Sequence, residues 1–105
     1  MQDADWDIVD RLVRWLDEES PMPPEVARLL RVLKITEEAG EVAEAVHGAM
    51  GANPRKGRSH SWEDVQDELC DVIVTSMVAL ATISPDARKR LTEHLRHLAD
   101  RSLTT

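Results

Sequence analysis

The stretch WEDVQDELCDVIVTSMVALATI, residues 62–83, decides how this chain folds. Projected on a helix at 100° per residue, it is apolar around nearly its whole circumference. Asp67, Glu68, Asp71 and Thr75 fill one narrow polar strip. A helix of that kind belongs in a core. A charged carboxylate there is costly unless something pairs it. Ser61 precedes the run as a candidate N-cap, with Asp64 three residues on, a capping-box variant.

Working outward, a second long helix is expected from Pro24 to Met50. Ser20-Pro21-Met22-Pro23-Pro24 breaks the chain before it, and Pro24 suits a first helical position. Val26, Leu29, Leu30 and Leu33 form one apolar stripe. Ile35, Ala39, Val42 and Val46 form another on roughly the opposite side. Two stripes predict a central helix, packed by its own chain and by a partner chain. Gly48, Gly51, Asn53, Pro54 and Gly57 mark the loop between the two long helices, and Arg55, Lys56 and Arg58 sit on it.

A first helix is expected over about Trp6–Glu18, capped by Asp3 or Asp5, with Trp6, Val9, Leu12, Val13 and Leu16 inward. Ser84-Pro85 is expected to open a fourth, running to about Arg101, with Ala87, Leu91, Leu95 and Leu98 inward. Nothing reads as a strand, a repeat or a domain-dividing linker. The expectation is one all-α domain over residues 1–105, a bundle of four to five helices completed by dimerisation.

The net charge is −7, from 20 acidic residues against 13 Lys and Arg. That disfavours nucleic-acid and anionic-membrane binding, which need a basic surface. The single cysteine, Cys70, forbids an internal disulfide and is expected to be a buried packing residue in a reducing, cytoplasmic setting. The acidic N-terminus has no signal-peptide pattern, and the apolar run 72–83 is too short to span a bilayer.

Glu38 with Glu41, and Glu68 with Asp71, are each three residues apart, so each pair shares a helix face. If the two long helices pack side by side, four carboxylates meet. They repel by roughly 4 kcal/mol per close pair at an effective dielectric near 20. A divalent cation resolves this. All-oxygen ligands suit Mg²⁺, with Mn²⁺ an alternative, and no Cys/His set points to zinc. Without metal, the cluster should contain raised carboxyl pKa values.

Lys34-x-x-Glu37-Glu38-x-x-Glu41, followed after 26 intervening residues by Glu68-x-x-Asp71, resembles the E-E-x-x-E…E-x-x-D signature of MazG-like nucleoside triphosphate pyrophosphohydrolases. That family belongs to the all-α NTP pyrophosphatase superfamily. The resemblance covers residues 26–83, and the loop Asn53-Pro54-Arg55-Lys56-Gly57 looks like that of a short single-domain subgroup. It implies a helical bundle that forms homodimers or homotetramers. It also implies a hydrolase reaction in which water attacks the α-phosphorus of an NTP or dNTP, releasing the monophosphate and pyrophosphate. By resemblance, Glu38, Glu41, Glu68 and Asp71 would hold Mg²⁺. Glu37 and Glu38 would be the catalytic carboxylates, with Glu37 a candidate base for the water or a group that supports the metal ligands.

Lys34 fits either a phosphate contact or a salt bridge to Glu38. Arg55 and Lys56 are candidate phosphate contacts or ordinary solvent-facing cations. Trp62 could stack on a base or anchor a core or interface. Asp67 could assist the metal or simply sit at the surface. Glu44-x-x-His47 occurs once, whereas carboxylate di-iron bundles need the motif twice. No Gly-x-Ser-x-Gly, P-loop or Cys-x-x-Cys occurs. The alternative to an enzyme is a non-catalytic helical interaction or regulatory module of the same fold.

Overall fold

The computed structural model describes residues 1–103. Among them are four helices and no strand: α1 (Asp3–Glu19), α2 (Pro24–Met50), α3 (Trp62–Ile83) and α4 (Ala87–Ser102). α3 is the spine. It packs most extensively on α2, less on α1 and least on α4. α4 leaves α3 at an angle of 117°. Among the described residues, no single helix is long and apolar enough to cross a membrane.

Local signals account for most helix ends. Pro24 occupies the first position of α2, where its missing N–H is no loss. α2 ends where Gly51 takes the left-handed conformation at φ 66°, and the Ala52 N–H returns to the His47 carbonyl at 3.0 Å, a closing turn that glycine permits without strain. Ser61 caps α3 as expected. The Asp64 N–H donates to Ser61 Oγ at 3.2 Å, and the Ser61 N–H donates to Asp64 Oδ2 at 2.8 Å.

Two ends differ from expectation. Gln2, not Asp3 or Asp5, is the N-cap of α1, and its N–H donates to Asp5 Oδ2 at 3.1 Å. Ser84-Pro85 does not open α4. Ser84 closes α3 with extended backbone, the conformation a following proline imposes, and Asp86 is the N-cap of α4.

Two small clusters hold the chain. Ala45, Ala49 and Val65 form the seam between α2 and the start of α3. Trp6, Val9, Met77 and Ala87 join α1, the end of α3 and the start of α4. Arg31 adds a polar tie across three helices. Its side chain is 11% exposed, and it donates to Asp17 at 2.7 Å and to Thr82 at 3.1 Å.

Several residues expected inward are bare. In α4 only Ala87 is buried, while Leu91 and Leu95 are exposed. Leu12 is exposed on α1, and the whole Val26, Leu29, Leu30, Leu33 stripe is exposed on α2. Cys70 is exposed rather than buried. It lies on α3 beside Leu69 and Ile73, which are also exposed. Periodicity identifies the apolar side of each helix correctly, but one chain supplies too few helices to cover them all.

Candidate metal centre

Lys34, Glu38, Glu41 and Ala45 fall within one arc of α2, because residues three and four apart share a face. Ala45 is buried in the α2–α3 seam, so the same arc carries Glu38 and Glu41 to α3. There they meet Glu68. One carboxylate oxygen from each of Glu38, Glu41 and Glu68 lies within 4.8 Å of the other two. Glu38 and Glu68 are half-buried and Glu41 is exposed.

Glu68 carries the strain of this arrangement. Its Oε2 is shielded from water and has no hydrogen-bond partner among the described residues. Burial is the first cause that raises its pKa above the ordinary 4.5. The closeness of the Glu41 carboxylate and repulsion from Glu41, Asp71 and Glu38 add to it. An orphaned, desolvated carboxylate oxygen facing two further carboxylates is what a hard cation would satisfy. The donors are all oxygens, which fits Mg²⁺ or Mn²⁺ and not zinc.

Asp71 is exposed and lies outside the three-carboxylate group. Its charge still reaches Glu68. Glu37 is exposed on α2, and Lys34 Nζ sits 3.5 Å from Glu38 Oε1 and 4.0 Å from Glu37 Oε2. Of the two readings left open for Lys34, the ion pair to Glu38 is present. Asp67 is exposed, as is Trp62, which is no core residue of the single chain.

The loop cations lie elsewhere. The Arg55 N–H donates to Asn53 Oδ1 at 2.9 Å, and the Lys56 N–H to the Asn53 carbonyl at 3.2 Å. These contacts shape the loop and leave both side chains exposed. Among the described residues neither makes an ion pair. Lys56 lines an open groove with Glu44, His47 and His60, about one to two helical turns beyond Glu41.

One feature of the site had no signal in the sequence. An apolar cleft of about 260 Å³ opens beside the cluster, lined by Leu16, Met22, Ala27, Leu30 and Val78, with Arg31, Lys34 and Thr75 at its polar edges. Lys34 borders both the cleft and the acidic group, and Thr75 stands one turn along α3 from Asp71. The cleft forms where the break at residues 20–23 brings Leu16 and Met22 beside α2 and α3.

Comparison with protein-family models, curated proteins and solved structures finds no match to this chain. The site geometry and the sequence pattern are therefore what a functional reading stands on.

Proposed function

We propose that the protein is a Mg²⁺-dependent nucleoside triphosphate pyrophosphohydrolase of the MazG-like kind. The single observation that carries this reading is the convergence of Glu38, Glu41 and Glu68 around an unpartnered, water-shielded Glu68 oxygen. Glu38, Glu41 and Glu68, with Asp71 beside them, would hold Mg²⁺ or Mn²⁺. When bound, the ion neutralises charge on a triphosphate and polarises a phosphoryl oxygen.

The chain's own groups have distinct tasks in this reading. Glu37, exposed beside the cluster, takes a proton from the attacking water. The water oxygen bonds to the α-phosphorus as the bond to the α–β bridging oxygen breaks, and pyrophosphate leaves. Lys34 exchanges its ion pair with Glu38 for a phosphate oxygen. The adjacent apolar cleft receives the base, with Arg31 and Thr75 offering polar contacts at its rim. Arg55 and Lys56 would join the phosphates by a movement of their loop.

The finer architectural reading is a MazG-like bundle completed by self-association, as a homodimer or homotetramer. Its support is surface area. A compact chain of 11.8 kDa should expose about 5,900 Å², and this one exposes 8146 Å². Its radius of gyration is 16.8 Å, against about 13 Å for a compact domain of this length.

A second reading is a non-catalytic helical module of the same fold, favoured by the exclusion of Asp71 from the converging group. One assay separates the two. The chain is incubated with a panel of NTPs and dNTPs plus Mg²⁺, and pyrophosphate is measured. Turnover lost in Glu41→Ala and in Asp71→Ala supports the enzyme. No turnover on any nucleotide with Mg²⁺ or Mn²⁺ sinks it in favour of the module.

A further inference from the structure

We infer that α4 is a docking arm for a second copy of this chain. Its Leu91–Leu95–Leu98 stripe seats in the apolar groove between α1 and α3 of that copy. The inference deepens the self-association proposed above and rests on it.

The arm is under-supported in its own chain. α4 has 16 residues and one buried side chain, Ala87. A helix of that length is marginal in water unless an apolar face is covered. Leu91 and Leu98 each lie about one turn from Leu95, on either side of it, so the three make a single stripe. Leu95 is 65% exposed and Leu91 is also exposed, while Leu98 is half-buried.

The groove has matching form. Met1, Ile8, Leu12 and Val74 line it over Val9 and Met77, with a volume of about 290 Å³. Trp15 is 56% exposed and extends the same α1 face by one turn. A helix whose anchors are spaced by three and four residues is the natural occupant of such a groove.

Charge selects between the bare surfaces. α1 carries seven carboxylates and two arginines, a net −5, and α4 carries five cations and two carboxylates, a net +3. On α4, helical periodicity sets Arg90, His94 and Arg101 along one flank of the leucine stripe, with Glu93 and Asp100 on the far face. Asp5 lines the groove, and Glu18 and Glu19 follow its Trp15 end. The exposed α2 stripe has a mixed rim, with Lys34 on one side, Glu25 on the other and Glu37 at its end, so it offers α4 no comparable run of carboxylates.

The contact is made between copies. Arg88, at the start of α4, pairs with Asp3. Asp3 lies about 140° around α1 from Ile8 by helical periodicity, so α4 is anchored on the side of α1 away from the groove. Two copies exchanging arms form a closed two-fold pair in which each stripe and each groove is used once. The surface in excess of a compact chain exceeds the roughly 800 Å² per partner of a standard interface.

The test uses full-length chains in a Cys70→Ala background. One chain carries Leu12→Cys and the other Leu95→Cys. They are mixed, oxidised and sized by mass. A covalent dimer from the mixed pair supports the arm, because a disulfide forms only where the two Cα atoms come within about 7 Å. No mixed dimer overturns it. A chain carrying both cysteines that closes on itself as a covalent monomer also overturns it. Leu95→Lys, with helix content checked by circular dichroism, should weaken assembly at least about tenfold. If the parent chain is monomeric at high concentration, self-association fails as a whole. If Leu95→Lys assembles like the parent and no cross-link forms, only the arm fails.

Discussion

The Gly48 backbone lies hard against the ring of His60. A methyl group on its Cα would sit 2.1 Å from His60 Nδ1 and 2.6 Å from Ser59 Oγ. Those two side chains are themselves 2.9 Å apart and hydrogen-bonded. The glycine is what lets the end of the loop close onto α2 just before α3 begins.

Gly48→Ala should therefore force the loop off α2. We expect a loss of about 1–3 kcal/mol, the usual range for overpacking, measured by urea denaturation. Adding His60→Ala should recover part of it. Equal, additive losses would show that the close approach does not matter.

Arg31 ties α1 to α2 and α3 through Asp17 and Thr82. Arg31→Met keeps much of the packing and removes both hydrogen bonds. The expected cost is about 1–3 kcal/mol, since these are hydrogen bonds from a charged donor. The same variant should alter the rim of the apolar cleft, so base preference should shift along with stability. A melting temperature equal to that of the parent would mean the tie contributes nothing.

Glu68 makes the metal-free chain sensitive to pH. Its pKa is raised in the folded state, so the folded chain binds this proton more readily than the unfolded chain does. The associated stability is complete below the ordinary value of 4.5 and disappears as pH rises through the folded value. The metal-free melting temperature should thus drop more steeply in that window for the parent than for Glu68→Gln. Mg²⁺ needs the deprotonated form, so millimolar Mg²⁺ should raise the melting temperature more at about pH 7.5 than at about pH 5. Asp64, lowered chiefly by its Ser61 backbone hydrogen bond, acts in the opposite sense. Its contribution holds above 3.8 and fades as pH falls through its folded value. An identical Mg²⁺ response at both pH values would count against Glu68 as a ligand.

Glu37 and Lys34 should separate kinetically. Glu37→Gln is expected to lower kcat by about 10²–10⁴-fold with little change in KM, the range for a lost general base. Lys34→Met should raise KM, because its proposed partner is a phosphate. If Glu37→Gln keeps full kcat, another group takes the proton.

The limits of α2 and α3 were legible because Pro24, Gly51 and Ser61 are local signals, acting through one turn of backbone. The meeting of Glu38, Glu41 and Glu68 was legible because both pairs keep helical spacing. The relation of Asp71 to the group was not, since the rotation of α3 against α2 sets it. The apolar cleft was hidden for a similar reason. It joins Leu16, Met22 and Val78 from distant parts of the chain. The exposure of Cys70, Leu91 and Leu95 was also hidden, because a periodic stripe says which side is apolar and not whether a neighbour covers it.

The two apolar clusters share no residue. One clasps the early part of α3 at Val65, the other its later part at Met77. α1 can peel away by giving up the Trp6 and Val9 contacts and the Arg31 tie, while the Ala45–Val65 seam stays shut. Amide hydrogens in α1 should then exchange with solvent well before those around Ala45, and the carboxylate trio would ride on the slower half.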